Sequence, residues 1–89
     1  MPHFVYILEC ADPTLYVGST NDLEKRLRQH NLAKAGAHYT KIRRPVVLKY
    51  AEEVPTFEGG RAREAEIKRM TRKSKLKLIE SKTTLVNSM

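Results

Sequence analysis

The chain has one cysteine, Cys10, among its 89 residues. It can form no internal disulfide, so the reducing cytoplasm is the expected compartment. No apolar run approaches the roughly 18 residues that a bilayer-crossing helix needs, and no membrane association is expected. No basic stretch leads into an apolar one at the N-terminus, so no signal peptide is expected either. A Gly-rich phosphate loop and a Cys/His metal cluster are both missing, which makes a small-molecule enzyme the least expected class. Internal repeats and low-complexity segments are absent as well.

What the chain does have is positive charge, unevenly placed. Residues 1–60 carry 8 Lys/Arg against 7 Asp/Glu, whereas residues 61–89 carry 9 against 3. Nearly all of the net charge of +7 therefore lies in the C-terminal third. A one-sided basic surface attracts polyanions by neutralising phosphates and releasing their counterions. The plain alternative is a solvated helix surface. A chain of this length forms one domain and buries only about 60% of the surface its unfolded form exposes.

Phe4-Val5-Tyr6-Ile7-Leu8 is β-branched and aromatic, hence a strand. Asp12-Pro13-Thr14 supplies turn chemistry, and Leu15-Tyr16-Val17-Gly18 returns as a second strand. Asn21 is the expected cap of a first helix, with Glu24 completing a capping-box pattern and Gly36 stopping it after Ala35. Val46-Val47-Leu48-Lys49-Tyr50 reads as a third strand. A second helix is expected from Thr56 or Phe57 to Met70. A third, capped by Thr71, is expected from Arg72 to Ser81 with Leu76 and Ile79 as its apolar positions. The expected fold is α/β: a small three-stranded antiparallel sheet flanked by helices, in the order β-β-α-β-α-α. Residues 1–82 would form the domain and 83–89 a disordered tail.

Helical periodicity of about 100° per residue places Arg26 and His30 beside the buried stripe of Leu23 and Leu27. An inward arginine needs a partner unless its stem packs and its head reaches water. A buried, satisfied histidine is the ordinary reading of His30. On the second helix Glu64 falls inside the apolar arc around Ile67, while Glu66 falls outside it. A core-facing carboxylate needs a cation, either a metal or a base such as Arg26. Gly59-Gly60 would let this helix approach another backbone closely, or simply mark its start. Pairing Cys10 with Tyr16 and Leu8 with Gly18 puts Tyr6 and Tyr16 on one face of the hairpin, where a one-residue slip would separate them.

The spacing of Tyr6, Tyr16-Val17-Gly18, Arg26 and His30 resembles the central signature of the GIY-YIG nuclease superfamily. Asn21 to Arg26, Tyr39-Thr40, Arg43-Arg44-Pro45-Val46, Glu64 to Lys68 and Thr71-Arg72 resemble its small stand-alone bacterial members. The likeness covers roughly residues 4–80. It implies a metal-dependent endonuclease that hydrolyses phosphodiester bonds, with one Mg²⁺ or Mn²⁺ ion bound together with the substrate. By that likeness Glu64 would hold the metal, and Tyr6, Tyr16, Arg26 and His30 would complete the catalytic set. Gly18 would allow close backbone approach, and Arg63, Lys68, Arg69, Arg72 and Lys73 are candidate nucleic-acid contacts. DNA is expected ahead of RNA.

The chain departs from the family pattern in four places. Phe4-Val5-Tyr6 replaces Gly-Ile-Tyr, Val17 replaces Ile, Ser19 stands where some relatives carry Lys, and the late Asn has no match apart from Asn87. Two other classes stay open: a DNA- or RNA-binding module that does not cut, and a basic protein that docks on an acidic partner. Oligomeric state is not legible.

Overall fold

The computed structural model describes residues 2–32, 40 and 42–87, the last six by backbone only. Three strands form one antiparallel sheet: β1 His3–Glu9, β2 Leu15–Thr20 and β3 Val47–Val54. β1 is central, in the order β2-β1-β3. Three helices are described beside the sheet: α1 Leu23–Leu32, α2 Phe57–Lys68 and α3 Arg72–Asn87. The expected architecture and element order are therefore found.

Each face of β1 buries its own set of side chains, because successive residues of a strand point to opposite faces. Val5 and Ile7 pack with Val17, Tyr50 and Ile67, backed by Leu78 and Ile79 of the C-terminal helix and by Met70 just before it. Tyr6 and Leu8 pack with Cys10 and Val46, backed by Tyr16 and by Leu23 and Leu27 of α1. So α1 covers one face of the sheet, and α2 and α3 the other.

The hairpin register differs from the expected one by two residues: Tyr6 lies opposite Gly18 and Leu8 opposite Tyr16. An even slip preserves which face each residue uses, so the two phenols still share a face. The turn is tighter than expected. Cys10 N–H donates to Thr14 O, and Asp12 Oδ1 accepts from both the amide and the hydroxyl of Thr14. β3 runs on to Val54, past the expected end at Tyr50. Its pairing with β1 shifts between Ile7 and Leu8, leaving Lys49 without a partner across the ladder. That bulge places Leu48 opposite Leu8 instead of facing the other way.

Helix boundaries also differ in detail. Asp22, not Asn21, caps α1: its Oδ1 accepts from Lys25 N–H, so Glu24 is no part of a capping box. The expected end near Ala35 and Gly36 lies outside the described residues. Thr56 caps α2 through Gly59 N–H, and the helix ends at Lys68, short of Met70. Thr71 Oγ1 accepts from Ser74 N–H at the start of α3, as expected. α3 continues beyond Ser81 to Asn87. Its packing residues are Leu78 and Ile79, while Leu76 is 40% exposed. The wheel expectation failed at Leu76 because a mostly polar helix leaves its phase to be set by one or two contacts.

Ile67 is fully buried between α2 and the sheet. Ile67→Ala should cost about 2–5 kcal/mol, and Leu76→Ala no more than about 0.5 kcal/mol. Urea unfolding of both variants checks this, and a larger loss at Leu76 would place α3 in a different rotation.

Candidate active site

The site begins where Tyr6 crosses Gly18. A methyl group on Gly18 would sit 2.5 Å from the Tyr6 hydroxyl and 2.6 Å from Cζ. The space of the missing side chain of Gly18 is thus filled by the phenol of Tyr6. Through that gap the Tyr6 hydroxyl reaches His30 Nε2 at 2.9 Å. His30 Nδ1 meets Thr40 Oγ1 at 2.6 Å. The Tyr16 ring stands edge-on to the imidazole, with centroids 5.1 Å apart.

His30 is 0% exposed. Its burial, with the Arg26 and Arg44 cations nearby, lowers its pKa from 6.5 to about 4. It is neutral at physiological pH. Tyr6 is pushed the other way: burial raises it to about 12, against the pull of the Arg26 guanidinium, while Tyr16 and Glu64 raise it further. Tyr6 therefore keeps its proton at neutral pH. It is also the point at which Arg26, Tyr16, His30 and Glu64 all make themselves felt.

Neighbouring side chains hold α1 in place. Arg26 Nη1 donates to Gln29 Oε1 at 3.1 Å, one turn along the helix. The Arg44 guanidinium donates to the carbonyls of Gln29 and His30, which a helix end would otherwise leave without partners. Asn31 grips Val46 twice, accepting from its N–H and donating to its carbonyl, as a neighbouring strand would. Arg43 ties Asp12 of the hairpin turn at 2.9 Å. None of these roles was predicted. The block Arg43-Arg44-Pro45-Val46 stood out in the sequence, but a contact to a backbone carbonyl leaves no pattern there.

Glu64 reaches the site from α2, on the other face of the sheet. Gly18 and Ser19 are consecutive and point to opposite faces. β2 is an edge strand, so among the described residues no further strand lies beyond it to separate the two halves. Ser19 Oγ donates to Glu64 Oε1 at 2.7 Å, and Lys68 Nζ lies 2.8 Å from Oε2. The Glu64 side chain is 13% exposed, against 60% for Glu66, which agrees with its expected inward position. Burial alone would raise its pKa, but the bonds from Lys68 and Ser19 outweigh this and lower it. The base paired with Glu64 is thus Lys68, not Arg26. Ser19, noted only as a departure from the family pattern, turns out to be what orients the carboxylate.

Glu64 is the one carboxylate here. Among the described residues, no three His, Cys, Asp or Glu side chains converge in a way that could enclose a metal. A single ionised carboxylate fits a hard cation that keeps most of its waters and takes further oxygens from a phosphate. It does not fit a tightly caged ion. Lys68 is 53% exposed and can swing away from such a cation. Arg61 borders both a small cleft at Glu64 and an open groove of 680 Å³ along Ser19, Thr20, Asn21, Thr56 and Phe57. Sequence reasoning had not singled out Arg61.

The remaining basic candidates divide in two. Arg63 is bound to Glu52 and Glu66, and Lys68 to Glu64, so neither is offered to a ligand in this arrangement. Arg69 donates to Ala65 O but is exposed, as are Arg72 and Lys73. What lies close to Gly60 is a side chain and not a backbone: a Cβ there would meet the His3 ring at 2.5 Å.

Known proteins resemble this chain in sequence and in fold. Residues 2–77 match the family model of the GIY-YIG catalytic domain. A UPF0213 protein of Syntrophus aciditrophicus is 55% identical over 88% of this chain and 90% of its own. One from Staphylococcus haemolyticus is 49% identical over 90% and 96%. The solution NMR structure of the UPF0213 protein BH0048 from Bacillus halodurans aligns with a TM-score of 0.60 at 38% identity, covering 92% of this chain and 86% of that one. The NMR structure of the protein EF2693 from E. faecalis aligns at 0.64 and 31% identity, covering 94% and 88%.

The buried imidazole makes stability depend on pH. An unfolded chain protonates it near 6.5, while the folded one resists until about 4. The stabilisation is complete above 6.5 and is lost as pH falls toward about 4. The urea midpoint of the native chain should therefore drop between pH 6.5 and about 5. His30→Gln should be less stable at neutral pH but lose most of that slope, and equal slopes would assign the titration to another group.

Proposed function

The chain belongs to the GIY-YIG family, and from that premise we propose that it is a metal-dependent endonuclease that hydrolyses phosphodiester bonds in nucleic acid, DNA ahead of RNA. The observation that supports this reading is the setting of Tyr6: His30 is bonded to its hydroxyl, Tyr16 stands edge-on to that imidazole, and the Arg26 guanidinium pulls on the phenol. Family membership supports a nuclease-type reaction.

One Mg²⁺ or Mn²⁺ ion, held by Glu64 and arriving with the substrate, would polarise the phosphate and stabilise the departing oxygen. Glu64 is suited to this because it stays ionised and is aimed by Ser19. Arg26 opposes the charge that builds on the phosphate oxygens, a two-pronged task a lysine performs less well. Tyr6 holds its proton, so it positions the attacking water through its oxygen and does not act as a ready-made phenolate. His30, neutral and fully enclosed, anchors that phenol. Tyr16 flanks His30 and faces the same side. Arg61, Arg69, Arg72 and Lys73 offer contacts to the nucleic-acid backbone.

A second reading is a module that binds nucleic acid without cutting it. It is favoured by one observation: Glu64 already has a cation, Lys68, on one oxygen and Ser19 on the other. Metal-dependent nicking of plasmid DNA separates the two readings.

Arg26→Ala and Glu64→Ala should each lower Mg²⁺-dependent cleavage by about 10²–10³, with thermal unfolding little changed. Cleavage at the native rate by either folded variant would remove that residue from the mechanism. Binding should also weaken steeply as salt rises. Replacing Arg72 or Lys73 by Ala should flatten the logarithmic salt dependence by about one unit each if both touch phosphates. A salt-independent affinity would argue against the basic surface as the docking face.

A further inference from the structure

Tyr39-Thr40 stood out in the sequence, yet Thr40 has no part in the reaction described above. The structure encloses it completely, at 0% exposure, with its hydroxyl on the hidden nitrogen of His30. We propose that Thr40 is a positioning residue: its Oγ1 accepts the Nδ1–H of His30, fixing the tautomer in which Nε2 is bare and accepts the Tyr6 hydroxyl. This rests on the nuclease reading for its consequence, but not for its geometry.

The argument is one of hydrogen-bond supply. A neutral imidazole carries one N–H donor and one bare acceptor nitrogen. Tyr6 is 2% exposed, so its hydroxyl proton needs an acceptor inside the protein. Arg26, which lies against the phenol, has donors only. Among the described residues the recorded acceptor within reach is His30 Nε2, at 2.9 Å. If Nε2 is bare, Nδ1 carries the hydrogen and must donate it. The oxygen 2.6 Å away is that of Thr40. In the opposite tautomer two donors would point at the phenol oxygen, and the phenol proton would be left without a partner. The chain of bonds therefore has one direction, from Tyr6 to His30 to Thr40. It leaves a lone pair of the phenol oxygen for Arg26 or an incoming water.

The same logic explains why a hydroxyl serves here. Valine has nearly the shape of threonine but no acceptor, so Thr40→Val should strand the Nδ1–H in a dry site. The ring would escape by moving its proton to Nε2, reversing the bond to Tyr6. Thr40→Ser keeps the acceptor and should preserve the arrangement. A merely space-filling role would give the opposite order, with valine tolerated and serine costly.

The test is nitrogen NMR of the His30 ring in the native chain, Thr40→Val and Thr40→Ser, beside cleavage kinetics with Mg²⁺. We expect the proton on Nδ1 in the native chain and in Thr40→Ser, and on Nε2 in Thr40→Val. We expect kcat to fall roughly ten- to a hundred-fold in Thr40→Val, with KM nearly unchanged and activity kept in Thr40→Ser. A proton on Nε2 in the native chain overturns the proposal, and this measurement needs no variant to fold. An unchanged tautomer in folded Thr40→Val overturns it too. If the native chain cuts neither DNA nor RNA, the nuclease reading fails, while the tautomer still decides the role of Thr40.

Discussion

The structure turns on a buried phenol laid across a glycine. Tyr6 and Gly18 face each other on adjacent strands, and the ring fills the space where a side chain would stand. The contact sets the depth at which the hydroxyl emerges, and so where α1 must present His30. Enclosing a hydroxyl and an imidazole is costly unless each satisfies the other. Here they do, and no buried side-chain polar atom among the described residues lacks a partner. The pair binds the hairpin to α1 by a directional bond where an apolar contact would leave rotation free.

Much of this was legible in the sequence because it rests on periodicity. The alternation along Phe4 to Leu8 and the Leu23–Leu27 stripe fix which faces are buried, and those faces fix the layers. Even the misjudged hairpin register kept its consequence, since a two-residue error leaves Tyr6 and Tyr16 on the same side. The inward position of Glu64 followed from its place relative to Ile67. The order of these residues along the chain carried the family.

What stayed hidden depends on contacts between a side chain and something that has no pattern. Arg44 meets two carbonyls, Asn31 meets the backbone of Val46, and Ser19 meets a carboxylate 45 positions away. The ionisation of Tyr6 was hidden for the same reason. Burial dominates it, and burial is a sum over the surrounding fold that no local stretch contains. The partner of Glu64 was open between a metal, Arg26 and another base. Lys68, one helical turn away, was close in sequence but stood among many other surface lysines.

The bulge in β3 has a consequence for how this fold tolerates change. Lys49 is the extra residue, and it reverses the phase of the strand halfway along. Tyr50 faces α2 and α3, while Leu48 and Val46 face α1. Deleting Lys49 would join Leu48 directly to Tyr50, and ordinary alternation would then keep Leu48 opposite Leu8 on the side of α1. The Asn31 clamp on Val46 would stay beside the Glu9–Val47 pair. An exposed lysine thus marks the point at which the strand can lose one residue and keep both faces, whereas the loss of Leu48 or Tyr50 would remove a side chain that lines one.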